Sequence, residues 1–95
     1  SITVKLPAIN KAPLLEALQQ LVDDNTIYRI KGFAALPGKP MRLLIHAVGK
    51  RFDSYFDRHW QKDETPSTRL VLIGRDLDQT HLQKKLDAEL ITTGV

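Results

Sequence analysis

The chain has 95 residues, 42% of them hydrophobic and 26% charged, with a net charge of +3 and a pI near 9.4. This suits one domain with one modest core, and no apolar run is long enough to span a bilayer, nor does the N-terminus resemble a secretory signal. The absence of cysteine excludes disulfides, thiolate metal sites and cysteine nucleophiles, and fits a reducing cytoplasm. The mild basic excess reads as a solvated surface and is weak evidence for nucleic acid by itself. Either methionine removal or excision from a longer protein accounts for Ser1 at the start.

In chain order, Ile2, Val4 and Leu6 alternate with Thr3 and Lys5, the pattern of a short half-buried strand that Pro7 ends. Asn10 is a helix N-cap and Pro13 sits where the first turn tolerates it. Leu14, Leu15, Leu18, Leu21 and Val22 then fall on one helix face. Asp23-Asp24-Asn25 stops this helix, and a frayed end is expected because two acids at a C-terminus oppose the macrodipole. Residues from Thr26 to Leu36 suit a strand, with Gly32 as a bulge or a close approach. Pro37-Gly38-Lys39-Pro40 is a turn, and Met41, Leu43, Ile45 and Ala47 alternate along a return strand that Gly49 closes.

Phe52 to Ser67 reads as a long loop, with at most a short strand in it. Arg69 to Ile73 is a nearly continuous apolar strand, the pattern of an interior one. Asp78 is an N-cap, with Leu77 and Leu82 at the staple positions and Leu86 and Leu90 continuing the apolar face. Thr92 to Val95 reads as a frayed tail. The order β-α-β-β-β-α predicts an α+β two-layer sandwich. Its sheet has about four strands, mainly antiparallel, with both helices on one face.

Catalytic signatures are missing. Gly38-Lys39 runs into Pro40 and Gly49-Lys50 into Arg51, so neither offers the magnesium-binding hydroxyl of a phosphate-binding loop. His46, His59 and His81 show no paired spacing, so they read as structural or surface residues, not as a metal site. No serine has an elbow context. Lys31-Gly32-Phe33-Ala34 opens like an RNA-recognition motif but breaks at Ala35, and Phe33 reads as packing. Lys50 to Lys62 interleaves cations with Phe52, Tyr55, Phe56 and Trp60. That composition suits an interface, or a loop folding its aromatics onto the sheet.

Four stretches together resemble the CobW C-terminal domain family. They are Tyr28-Arg29-Ile30-Lys31-Gly32-Phe33, Leu43-Leu44-Ile45-His46-Ala47-Val48-Gly49, the lone Trp60, and Thr68-Arg69-Leu70-Val71-Leu72-Ile73-Gly74-Arg75-Asp76-Leu77. The resemblance runs from about Ile2 to Leu90. It implies a preceding P-loop GTPase domain that holds the nucleotide and a cysteine-rich metal motif. It also implies metal delivery, including cobalt handling in cobalamin biosynthesis and zinc homeostasis. GTP, magnesium and a transition metal, cobalt or zinc, would then belong to the parent protein and none of them to this chain. The histidine-rich stretch of some members is missing.

The expectation is therefore a non-catalytic cytoplasmic module, with no membrane contact. Its partners would be the GTPase domain of the same protein and a client metalloprotein. Arg29, Lys31, Arg58, His59 and Trp60 are the expected interface. The alternative is an RNA- or polyanion-binding module using Arg29, Lys31, Lys50, Arg51 and Arg58. It requires those cations to gather on one open face with exposed aromatics.

Overall fold

The computed structural model describes residues 1–24 and 27–91. In chain order the elements are β1 (Ile2–Leu6), α1 (Lys11–Asp24), β2 (Ile27–Ala34), β3 (Met41–Val48), β4 (Arg51–His59), β5 (Thr68–Gly74) and α2 (Gln79–Leu90). The strands form one antiparallel sheet in the order β1-β5-β2-β3-β4. Val4, Leu6, Ile30, Leu43, Ile45, Leu70 and Leu72 line one face of it. They meet Leu14, Leu18 and Leu21 of α1 and Leu82 and Leu86 of α2 in a single core. The expected α+β sandwich is present, with five strands rather than about four.

The helices form as their sequences dictate. Leu14, Ala17, Leu18 and Leu21 are buried on one stripe of α1, with Leu15 and Val22 at its flanks. The Asp78 carboxylate accepts from the His81 amide at 3.1 Å and caps α2, while Leu77 and Leu82 both reach the core. The first helix ends at Asp24. Asn25 and Thr26, and the tail Thr92 to Val95, lie outside the described residues, and β2 stops at Ala34 rather than Leu36.

The segment read as a loop holds the additional strand, β4. Gly49, at φ 58°, and Lys50 form a two-residue turn that folds β4 back on β3. Two features hide this strand in the sequence. It lies at the sheet edge, so its core side is only half covered. A bulge at Asp57 also shifts the register between Leu43↔Phe56 and Arg42↔Arg58, which breaks the period of two.

Gly32 marks a close approach. A Cβ there would press into the Arg69 carbonyl oxygen and stand 2.9 Å from Leu70 Cα. The two sheet edges differ. At β1 the outward backbone of Lys5 is held by Gln83, which accepts from its amide at 3.0 Å and donates to its carbonyl at 2.8 Å. Gln79 donates to the Thr3 carbonyl at 3.0 Å. Helix α2 thus covers one edge with side-chain amides.

Candidate interaction face

Both helices lie on one side of the sheet, so its other face is open. Direct cross-strand pairs point the same way, and the register assigns the open face in rows. One row runs Lys5, Arg69, Phe33, Leu44, Tyr55. The next runs Thr3, Val71, Lys31, His46, Asp53. The third runs Ile73, Arg29, Val48, Arg51. The rows hold five cations, Lys5, Arg29, Lys31, Arg51 and Arg69, against the single carboxylate of Asp53, which exceeds the chain's net charge of +3. Among the described residues none of these five cationic side chains makes an ion pair.

Within the face, Gly32, Phe33, Leu44 and Val71 floor a shallow groove of about 400 Å³, with Lys31 and Arg69 beside it. Its floor is apolar because β5, β2 and β3 each turn a hydrophobic side chain outward there.

One end of the face is locked by internal contacts. Arg42 grips Asp57 through Nε at 3.2 Å and Nη2 at 2.6 Å, and its guanidinium lies 4.7 Å over the Phe33 ring. Phe33 in turn meets Trp60 edge-on, with centroids 5.9 Å apart and planes at 72°. Arg58 grips Glu64 through Nη1 and Nη2 at 2.8 and 2.9 Å, and the Gln61 backbone amide donates to the same carboxylate at 2.8 Å. Arg58, then the Gln61 amide, holds the Glu64 carboxyl down to about 2. The hydrogen bond from Arg42 depresses Asp57, and Glu64 raises Arg58.

The residues expected at the interface therefore divide. Arg29 and Lys31 are exposed near the centre of the open face. Arg58 and Trp60 belong to the locked end, and His59 is exposed at the end of β4. Trp60 packs on Phe33, because the bulge at Asp57 reverses the side-chain alternation of β4 and turns Trp60 to the face that Phe33 occupies. Its amide donates to the Pro40 carbonyl at 3.1 Å, and its buried indole Nε1 has no hydrogen-bond partner among the described residues. Of the alternative set, Arg29, Lys31 and Arg51 gather on the face, whereas Lys50 lies 3.7 Å from Asp23 and Arg58 is engaged by Glu64. Arg69 and Lys5 were missed. Alternation alone put them on some face of their strands, and only the pairing of β1 and β5 with β2 makes it this one.

Metal ligands do not converge. His46 lies on β3, His59 at the end of β4 and His81 on α2. Among the described residues no three His, Asp or Glu side chains form a group able to hold an ion. No described helix is long and apolar enough to cross a membrane.

Relatives place this architecture. The Zinc chaperone CobW of Pseudomonas aeruginosa is 58% identical over 90 residues, covering 95% of this chain and 24% of that protein. The Zinc chaperone CobW of a Sinorhizobium species is 43% identical, also over 90 residues, and covers 93% of this chain and 25% of that protein. The chain thus spans about a quarter of the length of these relatives. Among solved structures, the zinc-bound YjiA GTPase of E. coli superposes with a TM-score of 0.76 at 25% identity, over 90% of this chain and 28% of that one. A zinc-bound triple mutant of the YjiA GTPase gives 0.77. Residues 7–90 match the family described as the cobalamin synthesis protein cobW C-terminal domain. The chain belongs to the CobW C-terminal domain family.

Proposed function

We propose that this chain is the non-catalytic accessory domain of a CobW-like, GTP-dependent metallochaperone, preceded in the parent protein by a P-loop GTPase domain. In this reading zinc is the cargo that the relatives' names favour, and the family's description adds a link to cobalamin and hence to cobalt. GTP and magnesium belong to the parent's GTPase domain. Among the described residues no group of donors fits a metal, so no metal step is assigned to them. The domain works by contact, with the GTPase domain and with a client metalloprotein. The observation that carries the reading is the open sheet face with Arg29 and Lys31 on its central strand, neither in an ion pair among the described residues. Arg58 and Trp60 lie at the locked end of that face, and His59 is exposed at the end of β4.

The test is calorimetric. The 95-residue chain is titrated with GTP and magnesium, and separately with the GTPase domain of the same protein. The expected result is no heat with nucleotide and micromolar binding of the GTPase domain. Micromolar nucleotide binding overturns the non-catalytic reading. Absence of any affinity for the GTPase domain overturns the accessory one.

The clustering of Arg29, Lys31 and Arg51 favours a second reading, a polyanion-binding surface. Against it, the Phe33 ring at the centre of the face is already covered by Arg42 and abutted by Trp60, which leaves the exposed Tyr55 on the edge strand to stack on a base.

A further inference from the structure

We infer that the open sheet face docks an acidic amphipathic helix of a client protein, with apolar side chains in the Phe33–Leu44–Val71 groove and carboxylates on Lys31 and Arg69. The inference rests on the accessory-domain reading and names the chemistry of the partner.

Three features of the face select this occupant. The first is charge. Five cations without ion-pair partners among the described residues face outward against one carboxylate, while Arg42 and Arg58 at the locked end are neutralised within the domain. A surface of this sign attracts acidic segments and repels basic ones. The second is the apolar floor. Leu44 and Val71 are aliphatic and Phe33 is taken, so the groove itself accepts side chains such as leucine, and the exposed Tyr55 ring lies outside it on the edge strand. Lys31 and Arg69 stand beside the groove, where a carboxylate one turn from a buried leucine reaches them.

The third feature is the backbone. Strands β5, β2 and β3 are each paired on both sides, so the centre of the face presents only side chains. A segment lying there gets no backbone hydrogen bonds from the sheet and must satisfy its own. A helix does so within itself, whereas an extended peptide depends on water or side chains for them. The dimensions agree. Two residues along a strand advance about 7 Å, and neighbouring strands lie about 4.8 Å apart. A patch three rows long and three strands wide thus takes two to three turns of a helix roughly 10 Å across.

The experiment uses the 95-residue chain and a labelled helical peptide of roughly 16 residues, with leucines at every third or fourth position and glutamates between them. Two comparators are the same peptide with glutamine for glutamate and a labelled single-stranded oligothymidylate. Fluorescence anisotropy gives affinity as a function of salt. The glutamate peptide is expected to bind, to weaken as salt rises, and to exceed the glutamine peptide by about tenfold. Lys31→Ala with Arg69→Ala should weaken it by about tenfold again. Both side chains are exposed, so thermal melts should be unchanged. Val71→Asp tests the floor and should abolish binding.

Peptide binding indifferent to these variants overturns the inference. So does an oligonucleotide that binds while the peptide does not. Competition supplies the remaining arm. If the GTPase domain binds the chain and the peptide does not, or if the GTPase domain displaces the peptide from this face, the client-helix inference fails and the accessory reading stands.

Discussion

Gln83 on α2 closes the outer edge of β1 at Lys5, accepting from its amide at 3.0 Å and donating to its carbonyl at 2.8 Å. One side-chain amide satisfies both backbone groups that an edge strand would otherwise offer to another chain. Replacing Gln83→Ala should cost about 1 kcal/mol, since these hydrogen bonds compete with water. The larger effect should be on association. Sedimentation velocity at high protein concentration should show dimers or larger species for the variant and not for the parent chain. An unchanged distribution would mean that packing of α2 alone shields the edge.

Leu72 is fully buried on β5, the strand between β1 and β2. Truncation to alanine should cost roughly 2–5 kcal/mol, the transfer term plus a cavity that the surrounding sheet and helices cannot collapse into. Urea denaturation reads this directly. A near-neutral result would mean that the two helices close over the site.

Gly32→Ala should be costly without removing any contact. The residue has φ 155°, and an added methyl would meet the backbone at Arg69 and Leu70. Backbone conformation alone is worth roughly 1–3 kcal/mol, and β5 would have to move as well. A parent-like melting temperature would show that β2 and β5 can separate at this point.

The Arg58–Glu64 pair predicts acid sensitivity of a definite sign. Glu64 is lowered from 4.5 to about 2 in the folded chain, chiefly by Arg58 and then by the Gln61 amide. A depressed carboxyl stabilises the fold fully above its unfolded value, and the contribution is lost as pH falls through the folded one. Stability should therefore decline between about pH 4.5 and pH 2, and Asp57, lowered by Arg42, acts in the same direction. Glu64→Gln should flatten the decline in urea melts across that window. An identical slope would place the acid sensitivity elsewhere.

Trp60 separates packing from recognition. Its ring supports Phe33, yet its buried indole N–H finds no acceptor among the described residues. An unsatisfied buried donor costs roughly 1–3 kcal/mol. Trp60→Phe, which keeps a ring and removes the donor, should be nearly neutral in a thermal melt, whereas Trp60→Ala should destabilise. Equal losses for both variants would mean that the indole makes a contribution a phenyl ring does not replace, against the reading of its N–H as an unsatisfied donor.

The sequence by itself determined the elements whose pattern is local. The periodicity of Leu14, Leu18 and Leu21, the Asp78 cap, the alternation from Met41 to Ala47 and the apolar run of β5 each follow from residues that are neighbours along the chain. The same local patterns, carried by four spaced stretches, sufficed for the family. Tertiary structure decided the rest. Strand β4 is obscured because an edge strand is covered on part of one face and because the Asp57 bulge breaks its period. The open face was half visible. Arg29 and Lys31 could be picked out as cations on a strand, but Arg69 and Lys5 join them only because β5 inserts between β1 and β2. Arg58 leaves the patch because Glu64, six residues on, folds back to hold it. Whether a cation is free or paired depends on which side chains the fold brings within hydrogen-bond reach, and that is a property of the assembled sheet.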